Sequence, residues 1–326
     1  MCTGLAFRKD GFYFGRNLDL DWHFGEQVVV VPENALLTFK EEASMKQHYA
    51  MMGMAFVADQ QPLFAEAINE KGLGMAGLNF PGYAVYPPAV QKGKNNVTPY
   101  EIITWTLAQF ESVDEAVKAY ENLNLVAINY SNDIGINPLH WILADKDRTV
   151  TVESTEEGLK IYDNPFDVLT NNPDFKFHMQ HISNFMGLST KQPANNFKDS
   201  VHLKAFGQGL GAFGLPGDFS PTSRFVKAAF VAAHGGDYGN KEGENPVCQF
   251  FHILDSVKVV DGAVDTGNGM ERTLYTCCMD AENFLYYYKT YENPNIGVIR
   301  GRNVDLQGEK IVVYPLVREP NFAEYN

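Results

Sequence analysis

The sequence lacks the features that would indicate a membrane or secreted protein. No apolar run approaches the roughly 20 residues that a membrane-spanning helix needs, and the four valines at 28–31 illustrate how short such runs are. No basic region precedes an apolar segment at the N-terminus, so the sequence predicts no signal peptide. The four cysteines, Cys2, Cys248, Cys277 and Cys278, form neither a disulfide framework nor a zinc-binding pattern. We therefore expect a cytoplasmic protein without membrane insertion and without a metal.

Positive charge is also scarce. Lys and Arg number 26 against 40 Asp and Glu, which gives a net charge of -14. Because such a chain repels phosphate backbones, nucleic-acid binding is not expected. Linkers, repeats and low-complexity tracts are absent, and 45% of the 326 residues are hydrophobic. Although this length admits about two domains, we predict one domain that spans residues 1–326.

Strands occur in runs and helices in pairs, which predicts an α+β fold with antiparallel sheets and helices packed outside. A hairpin opens the chain, with strands at 3–8 and 12–16 joined by the turn Lys9-Asp10-Gly11. Further strands are predicted at 27–32, 50–57, 63–69, 73–78, 139–145, 149–154, 159–163, 272–278, 283–290, 296–300 and 310–316. Helices are predicted at 98–110, 112–123, 174–185, 220–233 and 246–257, with capping boxes at Thr98 and Ser112.

Cys2 is a candidate nucleophile because of its position. Removal of the initiator methionine, which is usual before a small residue, would leave a cysteine that carries both a thiol and a free α-amine. Unperturbed pKa values are about 8.5 for the thiol and about 7.7–8.0 for the amine. One residue would then hold a nucleophile and its own base. The alternative is that a small residue at position 2 is accidental.

The end of the opening hairpin brings charged residues to Cys2. Pairing of the two strands places residues 15–19 beside residues 2–4. Alternation puts Asn17 and Asp19 on one face of the strand and Arg16 and Leu18 on the other. Asp19 is a candidate to hold the α-amine, and Arg16 a candidate to favour the thiolate. The alternative is a solvated strand end with mixed charges.

Three further polar residues are candidates for the same site. Asn79 ends a small-residue segment, and Asn171 precedes a proline; either amide is able to donate to an oxyanion, and either residue is equally typical of a turn. Arg224 lies in the first turn of a predicted helix, where the helix dipole disfavours a cation. This position indicates that Arg224 serves another purpose.

His178 and His181 share one face of a predicted helix, but no third ligand is apparent, so we expect no metal there.

Several segments together resemble the choloylglycine hydrolase family. They are MCTGLAF, YFGRNLDLD, NEKGLGMAGLNFPGYA, YDNPFDVLTNNPDF, GLPGDFSPTSRFVKAAF, QFFHIL and YYYKTYEN. The resemblance covers essentially the whole chain and is closest to bile salt hydrolases of gut bacteria, with penicillin V acylases as siblings. It implies the N-terminal-nucleophile hydrolase fold, in which two antiparallel sheets lie between helical layers (αββα).

The resemblance also implies roles for particular residues. Cys2 is then the nucleophile and its α-amine the base, without a cofactor. The family's remaining active-site positions match Arg16, Asp19, Asn79, Asn171 and Arg224. Because penicillin V acylases often carry Tyr where this chain has Asn79, conjugated bile salts such as glycocholate and taurocholate are the expected substrates. The alternatives are penicillin V acylase or a related N-acyl amidase, and a non-catalytic carrier of apolar anions.

The family's substrate loops and assembly suggest further expectations. Leu18, Ala58, Ala65 and Ile134 lie on segments near those loops. Relatives with Gly-x-Gly where this chain has Gly207-Gln208-Gly209 tend to favour glycine conjugates, whereas relatives with Ser-Arg tend to favour taurine conjugates. Family members are usually homotetramers, which is the assembly expected here.

Overall fold

The computed structural model of the chain describes residues 1–235 and 245–326. In chain order its strands are β1 (Cys2–Arg8), β2 (Phe12–Leu20), β3 (Gln27–Val31), β4 (Met51–Ala58), β5 (Gln61–Asn69), β6 (Gly74–Asn79), β7 (Asn95–Val97), β8 (Leu123–Leu125), β9 (Leu139–Ala144), β10 (Thr149–Thr155), β11 (Gly158–Asp163), β12 (Val168–Leu169), β13 (Val264–Asp265), β14 (Met270–Asp280), β15 (Leu285–Thr290), β16 (Gly297–Arg300) and β17 (Val312–Pro315). Its α-helices are α1 (Ile102–Gln109), α2 (Val113–Tyr120), α3 (Phe175–His181), α4 (Pro221–Gly235) and α5 (Pro246–Asp255).

Two large antiparallel sheets dominate the structure. The first has the order β12-β1-β2-β14-β15-β16, with β13 paired to β14, and the second has the order β11-β10-β9-β6-β5-β4-β3-β17. The sheets pack face to face, and their separation depends on small residues. A Cβ atom at Gly74 of the second sheet would lie 2.7 Å from the Phe14 ring of the first. Only glycine permits this close approach.

Helices cover the outer faces of both sheets. On the first sheet, α5 packs through the edge-to-face ring contact of Phe250 with Phe7, and α3 and α4 lie beside it. On the second sheet, α1 is fixed by Asn69, whose amide donates to the carbonyls of Leu107 and Phe110. One apolar core fills the space between the sheets and beneath α4 and α5, and another lies between the second sheet and α1 and α2. The predicted αββα sandwich of the α+β class is confirmed.

The predicted opening hairpin is confirmed in position and register. Its turn places Asp10 and Gly11 at positive φ, 51° and 131°, as an Asp-Gly turn requires. Cys277 and Cys278 follow each other in β14 and therefore point to opposite faces, and both are buried.

Some predicted helix limits are wrong. The first helix begins at Ile102 rather than at 98, because the Glu101 carboxylate accepts the Thr98 N–H at 3.2 Å and the Lys40 N–H at 2.8 Å, which closes a separate turn before the helix. The second helix ends at Tyr120, since residues 123–125 pair in parallel with β7. The helix predicted at 174–185 ends at His181 and continues as a 3₁₀ turn.

Candidate active site

Cys2 begins β1 between two neighbouring strands. On one side it pairs with Leu18 of β2, as the hairpin predicted. On the other side β12 pairs Leu169 with Gly4, so the chain leaves β12 beside the first residues of β1. Asn171 therefore lies next to Cys2, and the Cys2 N–H donates to Asn171 Oδ1 at 2.8 Å. The Cys2 side chain is only 4% exposed.

Asn171 connects the two sheets at this point. Its Nδ2 donates to the backbone carbonyl of Asn79 at 2.8 Å, and Asn79 is the last residue of β6 in the second sheet. A primary amide has two N–H groups, so one N–H of Asn171 remains after this contact. The structure thus brings Cys2, Asn79 and Asn171 together.

Arg224 lies in the first turn of α4 and is buried. Its guanidinium donates to Asn171 Oδ1 at 2.7 Å, to the hydroxyl of Thr3 at 2.8 Å and to the carbonyl of Cys2. Burial lowers the pKa of Arg224, and the nearby Asp19 and Cys2 oppose this effect. These contacts explain why a cation occupies a helix N-terminus.

Strand alternation separates Arg16 from Asp19, as predicted. Arg16 faces the second sheet, where it donates to the carbonyls of Gly77 and, at 3.3 Å, Ala65. Burial lowers the pKa of Arg16, but the charges around it, with Cys2 first, raise the pKa overall. Asp19 accepts the Thr273 hydroxyl at 2.6 Å. Within the described residues, Arg16 Nη2 and Asp19 Oδ2 are buried without a hydrogen-bond partner.

Glu66 of β5 was missed by sequence reasoning. It is fully buried between the sheets, 3.8 Å from Arg16 Nε. Its carboxylate accepts the hydroxyls of Tyr275 and Tyr286, both at 2.8 Å, and the thiol of Cys277 at 3.5 Å. Burial raises the pKa of Glu66 to about 7, although Arg16 and the hydrogen bonds oppose this. The only sequence signal was one acidic residue between two alanines in a predicted strand.

The expected substrate residues fall into two groups. Leu18 lies opposite Cys2, and Ala65 contributes its carbonyl to Arg16. Ala58 ends β4, and its carbonyl accepts the hydroxyl of Tyr130. Tyr130 directly precedes the turn that contains Ile134, in which the Ser131 N–H donates to the Ile134 carbonyl.

Residues Gly207, Gln208 and Gly209 form an exposed loop. The side-chain amide of Gln192 donates to the Gly207 carbonyl at 2.8 Å and to Gln208 Oε1 at 3.0 Å. Gly209 has a φ of 84°, which suits glycine. The loop thus has its own local support, separate from the contacts around Cys2.

Across residues 1–235 and 245–326, no cluster of three or more His, Cys, Asp or Glu side chains is arranged to hold a metal ion. Over the same ranges, no helix has the length and apolar character required to cross a bilayer.

Comparison with known proteins identifies the family. A family model described as linear amide C–N hydrolases, choloylglycine hydrolase family, matches residues 2–314. The chain is 41% identical to the bile salt hydrolase/transferase of Lactiplantibacillus plantarum, with 100% of both chains covered, and 40% identical to that of Clostridium perfringens, with 96% of each covered.

The structural comparison agrees. The crystal structure of the C2A mutant of the conjugated bile acid hydrolase from Clostridium perfringens matches with a TM-score of 0.93 at 38% identity over 100% of both chains. Penicillin V acylase from Agrobacterium tumefaciens shares the fold, with a TM-score of 0.74 at 19% identity over 96% of this chain and 90% of that one. The chain belongs to the choloylglycine hydrolase family of linear amide C–N hydrolases.

Proposed function

We propose that the protein hydrolyses the amide bond of glycine- and taurine-conjugated bile acids, with Cys2 as nucleophile after removal of Met1. The observation that carries this proposal is the placement of the Cys2 nitrogen 2.8 Å from Asn171 Oδ1, with Arg224 donating to the same oxygen. Relatives at about 40% identity that carry the name bile salt hydrolase/transferase support the substrate class.

The chemistry uses the two functional groups of Cys2. The α-amine takes the thiol proton, and the thiolate attacks the carbonyl carbon of the amide. The remaining N–H of Asn171 and the side-chain amide of Asn79 stabilise the oxyanion. The α-ammonium then protonates the departing glycine or taurine as the C–N bond breaks. Water, deprotonated by the same amine, cleaves the thioester and releases the bile acid and the free thiol.

Charges around Cys2 tune these steps. Arg16 stabilises a negative charge on the Cys2 sulfur by electrostatic attraction, and Cys2 is the first of the charges that raise the pKa of Arg16. Asp19 raises the pKa of the Met1 amine against the effect of burial, and it attracts in the same way the ammonium that Cys2 carries once Met1 is removed. Arg224 holds Asn171 and the Cys2 carbonyl in place.

Substrate recognition is part of the same proposal. Leu18, Ala58, Ala65 and Ile134 contact the apolar sterol nucleus. The exposed loop at 207–209 offers backbone N–H groups and no cation, which suits the carboxylate of glycine better than the larger sulfonate of taurine. A modest preference for glycocholate in kcat/KM follows.

The decisive experiment is hydrolysis of glycocholate, taurocholate and penicillin V side by side, with C2A as the control. Turnover of the bile salts that C2A lacks supports the proposal, and turnover of penicillin V alone favours the acylase alternative. Absence of turnover by protein whose intact mass shows loss of Met1 favours the carrier. An N-terminal extension that stays attached tests the amine, because an amide nitrogen cannot act as the base; full activity of that variant contradicts the amine's role.

We also propose one domain over residues 1–326 and a homotetramer located in the cytoplasm. The single domain is supported by the first sheet, which pairs β2 from one end of the chain with β14 from the other. The tetramer is supported by the exposed apolar side chains of Met186, Phe197, Phe206 and Phe213, each at least 84% exposed. Light scattering measures the assembly, and cell fractionation measures the location.

A further inference from the structure

We infer that His178 and His140 are positioning residues that hold Asn171 beside Cys2, by binding the backbone carbonyls of Asn171 and its neighbour Thr170. This inference rests on the proposed function, in which Asn171 serves the reaction. It also gives a role to His178, whose spacing from His181 in the sequence indicated no metal site.

The first contact is between α3 and Asn171. His178 Nε2 lies 2.8 Å from the Asn171 carbonyl oxygen. Because a carbonyl only accepts, Nε2 carries the hydrogen. Burial lowers the pKa of His178 to about 4, so the ring is neutral near pH 7, and its buried Nδ1 has no partner among the described residues. The ring also stacks on Phe225 at 4.7 Å, next to Arg224 in α4.

The second contact is between β9 and Thr170. His140 is fully buried, and its Nε2 lies 3.0 Å from the Thr170 carbonyl. Its Nδ1 lies at hydrogen-bond distance, 2.9 Å, from Oε1 of Glu153 in β10. The His140 ring stacks on Phe80, the residue after Asn79, with centroids 4.2 Å apart and planes 7° apart. His140 therefore contacts the residue that follows Asn79 and the residue that precedes Asn171.

Glu153 connects the two histidines. Besides His140, its carboxylate accepts the Phe175 N–H at 3.0 Å, and Phe175 is the first residue of α3. Glu153 therefore fixes the N-terminus of α3, the helix that contains His178. The short segment between β12 and α3 is thus held at Thr170, at Asn171 and at Phe175.

These anchors determine where the Asn171 side chain lies. The side chain bridges the Cys2 nitrogen and the Asn79 carbonyl, both at 2.8 Å, so a small displacement of its backbone breaks one bond or the other. A misplacement of about 1 Å in a catalytic group costs about 10²-fold in rate. Substrate affinity depends on the sterol contacts and changes less.

The test compares three variants with the wild type. H178F keeps an aromatic ring against Phe225 but cannot donate, whereas H178Q keeps a donor at a similar reach. H181F is the matched control, because His181 lies on the same helix, stacks on Phe177 and meets Phe185 edge to face, and has no hydrogen bond to Asn171. If H178F does not fold, H178N replaces it, since its shorter amide does not reach the carbonyl.

Two assays are made on each variant after the fraction of its molecules with a reactive Cys2 has been determined by titration. The first is kcat and KM for glycocholate, and the second is the pH profile of Cys2 alkylation by iodoacetamide. We expect H178F to lose about 10- to 100-fold in kcat with a change in KM below about threefold, and to alter the pH profile of Cys2 alkylation. H178Q recovers most of both, and H181F matches the wild type.

Two results would overturn the inference. In one, H178F has the wild-type kcat per reactive Cys2 and the wild-type alkylation profile. In the other, H178F, H178Q and H181F lose activity equally, which indicates general damage to α3. Should the wild type hydrolyse no conjugate, the proposed function fails, and the alkylation profile alone then decides whether His178 positions Asn171.

Discussion

Substitution of Glu66 by Gln changes how the stability of the fold depends on pH. The pKa of this buried carboxyl rises from 4.5 to about 7 on folding. Below pH 4.5 the group is neutral in both the folded and the unfolded chain, and burial of the carboxyl carries no charge penalty. As the pH rises, the unfolded chain releases this proton first, so the free energy of unfolding falls until the folded group ionises near pH 7. Between pH 4.5 and pH 7 the free energy of unfolding therefore falls by about 3 kcal/mol because of this group.

E66Q removes this loss because Gln does not ionise. The variant also changes the hydrogen bonds to Tyr275 and Tyr286, and this change adds an offset that is independent of the Glu66 titration. Urea denaturation at intervals between pH 4.5 and 8 separates the two effects. We expect the difference in unfolding free energy, E66Q minus wild type, to rise by about 3 kcal/mol over this range.

Two variants sharpen the measurement. E157Q removes an exposed carboxylate, 82% accessible, and controls for the change in net charge. Y286F removes one of the hydrogen bonds that lower the pKa of Glu66, so its stability loss extends to higher pH than in the wild type. A constant difference between E66Q and wild type across the range would refute the buried ionisation of Glu66.

Three predictions concern the reaction itself. C2A abolishes hydrolysis while the fold is retained, whereas C248A, which changes an exposed thiol, keeps wild-type rates. Hydrolysis of a bile salt by C2A would contradict the role of Cys2 as nucleophile. N171A lowers the acylation rate by about 10²- to 10³-fold with a smaller change in KM, and an unchanged single-turnover rate would leave Asn171 only a turn residue. Replacing Gly207-Gln208 by Ser-Arg moves the ratio of kcat/KM values toward taurocholate; an unmoved ratio removes the loop from substrate selection.

Local sequence signals predicted the part of the site that lies within one hairpin. The Asp-Gly turn fixed the register, and a period of two then placed Leu18 opposite Cys2 and sent Arg16 and Asp19 to opposite faces. Asn171 is different, because the two-residue strand β12 that brings it to Cys2 is too short to leave a periodic signal. Its residue type made it a candidate oxyanion donor with a turn as an equal alternative, and the family resemblance favoured the first.

Contacts between segments distant in the chain were not predictable from local patterns. His178 was a histidine on a helix face, and its role follows from a carbonyl seven residues earlier that β12 brings into reach. Glu66 lies more than 200 residues from Tyr275 and Tyr286 in sequence, and only the stacking of the two sheets brings the three together. The tyrosines alone were typical of an aromatic core strand.

The electrostatics of the site show why its residues come from so many elements. Two buried guanidinium groups flank Cys2, and each is costly to bury without a compensating charge. Glu66 of the second sheet compensates Arg16 once its carboxyl has ionised, and Asp19 raises the pKa of Arg224 against the effect of burial. Arg16 retains one unpartnered nitrogen within the described chain, and Cys2 is the first of the charges that raise its pKa. Glu66 of β5 and Asp19 of β2 offset part of the positive charge of the two arginines, and the remainder acts on the Cys2 thiolate. This balance of charge forms only when the two sheets and α4 pack together.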